Sequence, residues 1–450
     1  RGWESSAVLR FAELSLVRSE WRKYNASLLA GTEGTGTPEI TDAGFEIASV
    51  NIEENAYRSP VNYVLPPGIT REVSPDQPQL RELNEQAISL KVTNLDDGDA
   101  RAAYKNAGMD LRQFKNLQMF VHAEAVGNEL LRDEDLVVFI RMGADYRENY
   151  YEYEIPLKLT EHGWYQNESE TDRERVWPSQ NFLDLAFEKL QLVKQRRNST
   201  MREPGSTLQT SPVYSEYDGN RKVSVIGTPN LSNVRTIMVG IRNRSRDENP
   251  LDDDGLPKSV EVWINELRLA GFNEQGGHAA QTRVSVNLAD FSDIALAGDY
   301  STPGFGSIEK RVTERQISTD FGYDLSSGFE LGKFFPDKFG VHIPLYLGYS
   351  ESFSDPQYNP VDPDIELKTT LSDPNLSRKM RDSLIQTYRD YEKRKSLNVT
   401  NARIDGDRTK HKGRAADKPF YHISNWSASY GYKEIFRRNV NVHHNILEEY

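Results

Sequence analysis

Apolar and polar residues alternate along many short stretches of this chain, most clearly in YYEYEIPLKL. There Tyr151, Tyr153 and Ile155 fall on one face of an extended segment, while Glu152 and Glu154 fall on the other. A period of two residues is typical of a β-strand with two different faces. Strands are predicted in this way at residues 87–92, 117–125, 136–144, 150–159, 223–227, 235–243 and 260–269.

A single helix is predicted to interrupt these strands. Apolar side chains recur at helical spacing through residues 181–197, and Asn181 is a suitable N-cap after the Trp-Pro pair. Many short strands separated by turn residues indicate a sandwich rather than a parallel α/β sheet. We therefore expect a β-sandwich over residues 83–272. The stretch EVWINELRLA at residues 261–270 resembles the closing strand of jelly rolls.

The start of the chain repeats this closing stretch in short form. FAELSLV at residues 11–17 shares its Glu-Leu pair, so residues 1–30 are predicted to contain the closing strand of a preceding, related β domain. Residues 31–82 carry the glycine-rich GTEGTGTPE and the proline-rich VLPPG. Proline removes backbone donors from strand ladders, so this part is predicted to be an extended linker.

After residue 272 the alternation continues, but polar or small residues occupy the second face. The pattern predicts further antiparallel strands at residues 273–365 and 419–450. The candidates for an apolar, lipid-facing side are Phe321, Tyr323, Leu345, Leu347, Trp426, Tyr430 and Tyr432. The candidates for a polar, lumen-facing side are Asp320, Asp324, Ser427 and Ser429.

Two structures would give this second pattern. A transmembrane β-barrel alternates apolar residues toward lipid with polar residues toward its lumen. A soluble antiparallel sheet with one wet face alternates in the same way. The charged stretch at residues 377–395 reads as a helix, so residues 366–418 are predicted to be a helical and polar loop between strands.

Composition narrows the classes of function. The 450 residues contain no cysteine, which excludes thiolate metal sites and cysteine nucleophiles. A net charge of -13 argues against a nucleic-acid partner. No apolar run is long enough for a transmembrane helix. The chain starts at Arg1 without a signal peptide, so we expect it to be an internal piece of a longer protein.

No arrangement of residues indicates catalysis, and we expect no catalytic residue, no metal site and no cofactor. The histidines lack metal-ligand spacing with a partner carboxylate. Asp252, Asp253 and Asp254 form an aspartate-rich turn whose register does not fit a calcium loop. Trp164, Trp177 and Trp263 could form a sugar-binding platform or could simply be core residues, and core packing is the simpler interpretation.

Several stretches, in the same order along the chain, carry a resemblance to a known family. They are SEWRKY at residues 19–24, NIEEN at 51–55, YVLPPGI at 63–69, NEQ at 84–86, FVHAE at 120–124, NYYEYEIPL at 149–157, VWINELR at 262–268 and GFGSIE at 304–309. Together they resemble the SprA (Sov) family, whose members form the giant outer-membrane translocon of the type IX secretion system in Bacteroidota.

The resemblance implies a very large transmembrane β-barrel with inserted jelly-roll-like domains. It also implies secreted cargo proteins, a PorV-like shuttle protein, a plug protein and outer-membrane lipid as partners. The expected function is export of folded cargo in type IX secretion and gliding motility, from the cell outer membrane. The alternative is a surface glycan-binding β-sandwich protein with a soluble second β domain.

Overall fold

The structure is a computed structural model that describes residues 20–24, 28, 44–73, 82–127, 131–246, 253–274, 276–310, 314–373, 376–405 and 421–450. The chain divides into two compact units, Arg1–Phe272 and Asn273–Tyr450. In both units the described residues form mainly antiparallel strands, which confirms the predicted all-β class.

The described part of the first unit contains two helices and twelve strands. The helices are α1 (Glu170–Val176) and α2 (Phe187–Met201). The strands are β1 (Arg22–Tyr24), β2 (Gly44–Asn51), β3 (Gln86–Leu95), β4 (Ala100–Met109), β5 (Phe114–Ala125), β6 (Leu136–Gly143), β7 (Tyr150–Pro156), β8 (Leu183–Ala186), β9 (Tyr214–Asp218), β10 (Arg221–Ile226), β11 (Val234–Asn243) and β12 (Lys258–Phe272).

These strands form two sheets with jelly-roll connectivity. One sheet has the order β1-β4-β11-β6-β7-β10-β9, and the other has the order β2-β3-β12-β5-β8. Eight of the strands, in chain order, are β3, β4, β5, β6, β7, β8, β11 and β12. They divide as first-eighth-third-sixth and second-seventh-fourth-fifth, which is the eight-stranded jelly-roll arrangement. The predicted jelly-roll-like sandwich is therefore confirmed.

The main core lies between the two sheets. Tyr151, Tyr153 and Ile155 of β7 point into it and are completely buried, as the alternation predicts. Facing strands contribute side chains such as Val121 of β5 and Val262 of β12 to the same core. Burying side chains of this size is the main favourable contribution to the fold.

The helix predicted over residues 181–197 starts later than expected. A 3₁₀ turn covers Ser179–Asn181, β8 follows, and α2 begins at Phe187. Leu183 and Leu185 are buried in register with β5, so their period of two continues the sheet before the helical period starts. Asn181 is not the N-cap of α2. Its side-chain oxygen accepts a hydrogen bond from the backbone N–H of Lys158 (2.7 Å), and its side-chain amide donates to the carbonyl of Lys158 (2.8 Å).

The predictions for residues 1–82 also need correction. Arg22–Tyr24 is not part of a preceding domain but pairs with β4 of this sandwich as an edge strand. The repeated FAELSLV stretch lies outside the described residues. Residues 44–73 are not a free linker, because β2 pairs with β3 along its whole length and residues 61–65 are buried. The prolines break the ladder there, as predicted, but the segment packs over the sandwich.

The described residues of the second unit form one antiparallel sheet of eight strands. They are β13 (Ala279–Leu288), β14 (Ser292–Ser301), β15 (Ser318–Glu330), β16 (Val341–His342), β17 (Pro344–Pro356), β18 (Asp390–Ile404), β19 (Ser427–Arg438) and β20 (Asn445–Glu449). The order is β13-β14-β15-β17-β18-β19-β20, and β16 pairs with β18.

The loop predicted at residues 366–418 contains a long strand. Two helices, α3 (Leu367–Leu371) and α4 (Arg378–Tyr388), precede it, as the charged stretch indicates. The predicted helix ends seven residues early, however, and β18 runs from Asp390 to Ile404 between β17 and β19. The sequence pattern did not predict this strand, because Lys393 and Lys395 occupy two positions on its otherwise apolar face and interrupt the alternation.

Candidate functional site

The sheet of the second unit has one apolar face that continues from strand to strand. Directly opposed residues of neighbouring antiparallel strands project to the same side. The register aligns Leu345 with Val399 and Tyr430, and it aligns Leu347 with Leu397 and Tyr432. The same side carries Val284, Val286, Leu296, Tyr300, Phe321, Tyr323 and Leu325 from β13, β14 and β15, together with Tyr349 and Phe353 from β17 itself.

The opposite face is polar along the same strands. Asp324 lies opposite Ser350, and Ser350 lies opposite Arg394. Asp320 accepts hydrogen bonds from the hydroxyls of Ser318 (2.8 Å) and Ser354 (2.6 Å). Small residues such as glycine and serine fill much of the rest of this face, so it offers few apolar contacts.

The structure sorts the predicted face residues as follows. Phe321, Tyr323, Leu345, Leu347, Tyr430 and Tyr432 share the apolar face. Asp320 and Asp324 share the polar face, and Ser427 and Ser429 alternate with Tyr430 on β19 and so lie on that face as well. Trp426 is not in a strand, because it lies just before β19 at the end of a short 3₁₀ turn.

The apolar face is exposed in the part of the chain that the structure describes. Phe321 is 46% exposed, Leu347 37% and Tyr430 54%. Equivalent side chains between the sheets of the first unit, such as Tyr153, are completely buried. An extended apolar surface of this kind marks a contact site for a membrane or another molecule.

A group of ionisable residues at one end of the apolar face escaped sequence analysis. Glu351 accepts hydrogen bonds from the hydroxyls of Tyr323 (2.6 Å), Tyr349 (2.5 Å) and Tyr391 (2.9 Å). Beside it lies a second carboxylate with two lysines, Glu434 with Lys393 (3.6 Å) and Lys395 (3.2 Å). We call these seven residues the tyrosine–ion cluster. The two-residue period in β18 could have indicated that Lys393 and Lys395 lie on the same face of a strand.

The first unit contains a buried polar cluster beneath residues 52–68. Arg58 reaches down from this segment and binds Glu124 (2.6 Å) and Glu261 (2.7 Å) with its guanidinium group. The guanidinium also lies over the ring of Trp263, 5.0 Å from its centre. The ring of His122 stacks on the ring of Trp263, with 4.0 Å between the ring centres, and its Nε2 atom lies 3.7 Å from the carboxylate of Glu124.

The charges of this cluster stabilise one another. Burial alone would raise the pKa of Glu124, but the nearby His122 ring and Arg58 guanidinium outweigh burial and lower it. Burial would likewise lower the pKa of Arg58, yet Glu124 and Glu261 raise it. The cluster therefore holds residues 52–68 on the outer side of the sheet.

A second buried cluster lies on the outer face of the other sheet. Glu152 binds Arg141 (2.5 Å) and Arg242 (3.0 Å), and Arg242 also binds Glu154. Burial would raise the pKa of Glu152, but the two arginines lower it, whereas burial raises the pKa of Glu154. Both glutamates are buried, so the polar face of β7 is not in water.

The three tryptophans do not form a shared sugar-binding surface. Trp177 and Trp263 are buried, with 2% and 0% exposure, whereas Trp164 is 62% exposed. Trp177 donates its indole N–H to the carbonyl of Val64 at 2.9 Å, and packs beside Trp263. A cleft of about 1240 Å³ beside Trp177 is lined by the aromatic side chains of Phe120, Tyr165, Trp177 and Phe182, so it contains one tryptophan rather than a tryptophan pair.

Within the described ranges, no group of three or more His, Asp or Glu side chains could hold a metal ion. Asp253 and Asp254 instead bind Lys258, at 3.2 and 3.3 Å. Across the same ranges, the helices are all too short or too polar to cross a membrane.

Fold and surface together define a protein with a jelly-roll sandwich and, further along the chain, an antiparallel sheet with one apolar and one polar face. Residues 1–371 match the amino-terminal SprA family model, described as a motility-related/secretion protein. The match covers well over half of the chain, so this chain belongs to the SprA family of motility- and secretion-related proteins. No curated protein matches the chain significantly.

Proposed function

We propose that this chain is part of a protein-conducting translocon in the bacterial outer membrane. Strands β13 to β20 would form part of the wall of a large transmembrane β-barrel. Their apolar face would contact lipid, and their polar face would line a hydrated lumen through which folded cargo leaves the cell. The observation that carries the proposal is the apolar face, which stays in register from β13 to β19 and is exposed.

Energetics support a lipid contact for this face. Ten large apolar side chains on it are at least about one-third exposed, and they are Val284, Val286, Leu288, Leu296, Tyr300, Phe321, Leu325, Leu347, Tyr430 and Ile446. Full burial of one such side chain contributes about 1.5–3 kcal/mol. At half exposure, ten of them leave on the order of 10 kcal/mol unrealised, which a bilayer would supply.

The polar face suits a pore that passes folded proteins. The side chains of Asp320, Asp324, Ser427 and Ser429 are hydrophilic and would be hydrated in a lumen, and the net charge of -13 disfavours adhesion of acidic proteins. The proposal needs no catalytic residue and no cofactor, since transport through a pore requires a wide hydrated path. Membership in a motility- and secretion-related family supports it independently.

The finer elements of the proposal follow the family resemblance. The system would be type IX secretion with its associated gliding motility, in the outer membrane of a Bacteroidota cell. The partners would be secreted cargo proteins, a PorV-like shuttle protein and a plug protein. The jelly-roll sandwich would then be a domain inserted in the sequence ahead of barrel strands.

The proposal is tested with single cysteines on adjacent positions of β17, since residues 1–450 contain no cysteine. Leu347→Cys lies on the apolar face and Tyr346→Cys lies next to it on the polar face. The complete protein is assembled in its membrane and treated with a water-soluble, membrane-impermeant maleimide. We expect Tyr346→Cys to react and Leu347→Cys to be protected until detergent is added.

Two results would overturn the proposal. Equal labelling of both variants without detergent would mean that water reaches both faces, as in a soluble sheet. Protection of both variants that persists in detergent would mean that protein covers both faces. The alternative, a glycan-binding surface protein, predicts the first result together with saturable binding of oligosaccharides.

A further inference from the structure

The turn between β15 and β17 exposes three phenylalanines. It has the sequence LGKFFPDKF and consists of two 3₁₀ segments, Leu331–Phe334 and Asp337–Phe339. Phe334 is 73% exposed, Phe335 47% and Phe339 50%. We call residues 331–339 the phenylalanine turn.

The phenylalanine turn is held by regular hydrogen bonds. The carboxylate of Glu330 accepts from the backbone N–H of Gly332 (3.3 Å) and of Ile343 (2.8 Å). Leu331 donates to the carbonyl of Ile343 at 3.0 Å, and Phe339 donates to that of Pro336 at 3.0 Å. Exposing phenylalanine rings to water is unfavourable, and the hydrogen-bonded backbone of this turn holds them outward. This arrangement points to a contact that covers the rings.

The turn continues the apolar face of the sheet around its end. Phe329 lies on that face beside Leu345. Its ring contacts Phe291 (6.0 Å between ring centres), and Phe291 contacts Phe334 (5.1 Å). A chain of aromatic contacts therefore leads from the face onto the turn, so the same environment can cover both.

Lysines flank these phenylalanines in the sequence. Lys333 forms an ion pair with Asp290, and the ammonium group of Lys338 lies 5.1 Å from the ring centre of Phe339. Aromatic rings and lysines occur together where a protein meets the boundary between lipid tails and headgroups. There the ring enters the apolar layer while the ammonium group stays with water and phosphate.

The distance along the sheet to the tyrosine–ion cluster suits a bilayer. Val341 of the strand after the turn pairs with Ile404, and Arg403 pairs with Ser427, so Trp426 lies at the same end of the sheet as the turn. From Trp426 to Glu434 there are eight residue steps, or about 26 Å along a strand at about 3.3 Å each. A tilted transmembrane strand needs about 9–11 residues.

We infer that the phenylalanine turn is a membrane anchor that inserts into the interfacial layer of the bilayer, while the tyrosine–ion cluster marks the opposite boundary. This inference rests on the proposed function, because it requires that the apolar face contact lipid. It adds the position of the bilayer along the strands, and it assigns a lipid-binding role to residues that lie outside the strands. A protein partner on the turn is the competing occupant.

Spin labels on single cysteines test the anchor in the complete protein reconstituted into phosphatidylcholine vesicles. The variants are Phe335→Cys in the turn, Asp337→Cys as a polar control in the same turn, and Leu347→Cys on the apolar face. The accessibility of each label to oxygen, which concentrates in lipid, is divided by its accessibility to a water-soluble nickel complex. We expect this ratio to be highest at 347, intermediate at 335 and at least several-fold lower at 337.

Each outcome decides between the two claims. A high ratio at 347 with equal, low ratios at 335 and 337 would refute the anchor and leave the barrel intact. A low ratio at 347 would refute the proposed function itself. A label at 335 that neither reagent reaches, and that is strongly immobilised, would show that protein covers the turn, which also refutes the anchor.

Discussion

Removal of Arg58 should release residues 52–68 from the sandwich. Arg58→Met keeps much of the aliphatic stem, but it removes the guanidinium from above Trp263 and leaves Glu124 and Glu261 without their shared cation. The side chain of Glu124 is 1% exposed, so its carboxylate cannot recover hydration without local opening. Its remaining neighbour is His122 at 3.7 Å, which is beyond a normal hydrogen bond.

The size of the effect follows from burial. Breaking a buried ion pair by removing one partner costs about 3–5 kcal/mol. Arg58 keeps 17% of its side chain exposed, so the lower end, about 3 kcal/mol, is appropriate. Since 1.36 kcal/mol is tenfold in an equilibrium, about 3 kcal/mol raises the open fraction of the segment about 150-fold. The change should be local, because the main core does not depend on this segment.

Hydrogen exchange measures this opening directly. The informative amides are those of Tyr63, bonded to the carbonyl of Asn55, and Leu65, bonded to the side chain of Asn167. The matched control is Arg71→Met, which breaks two exposed ion pairs of the kind worth about 0.2–1 kcal/mol each. Similar acceleration in both variants would refute the reasoning, because it would mean that the buried pair contributes no more than exposed ones.

The remaining predictions concern pH, packing and membrane assembly. Folding lowers the pKa of Glu124, so the stabilisation that its carboxylate provides is complete above the unfolded pKa of about 4.3 and is lost as pH falls through the lower folded value. Hydrogen exchange of residues 52–68, corrected for intrinsic rates, should therefore be constant near neutrality and faster below about pH 4. Slower exchange in acid would contradict this prediction. Gly240→Ala should destabilise the sandwich by about 1–3 kcal/mol, because the new Cβ would lie 2.5 Å from Phe139, whereas Gly108→Ala meets nothing within 4 Å; equal thermal unfolding shifts would show that the site can relax. Tyr430→Asp should reduce membrane-assembled protein strongly and Asp324→Asn should not, as measured by the fraction resistant to carbonate extraction; equal yields would contradict the assignment of faces.

Sequence patterns predicted the strands well where one face is apolar. The seven strands expected between residues 87 and 269 all exist, because core residues occupy every second position over most of their length; β12 departs from this at a register shift between Asn265 and Arg268. The two faces of the second sheet were predicted for the same reason. Strand β4 was missed, since its sequence ARAAYKNAGM has only Tyr104 and Met109 as large apolar residues and does not alternate. Its position is fixed by neighbouring strands on both sides, β1 and β11.

Charged residues caused the main errors, because their partners are distant in sequence. Glu152 and Glu154 look like a solvent-exposed face of β7, but Arg141 and Arg242 from β6 and β11 neutralise them in a buried site. The lysines of β18 resemble a solvated helix until β17 and β19 place Glu351 and Glu434 beside them. Alternation identifies the faces of a strand, but it does not identify what covers each face.

What covers the second sheet can be argued from strand length together with exposure. Strands β13, β14, β15, β17, β18 and β19 have between 10 and 15 residues, at or above the 9–11 that cross a bilayer. Length permits a membrane span but does not decide it, because β3, β4, β5, β11 and β12 of the sandwich also have between 10 and 15 residues. A soluble sheet with one wet face packs its apolar face on a core, as both sheets of the first unit do. The described residues of the second unit provide no such core for side chains such as Leu347. Long strands with an uncovered apolar face therefore favour lipid over water on that side, with the tyrosine–ion cluster at the edge of the hydrocarbon layer.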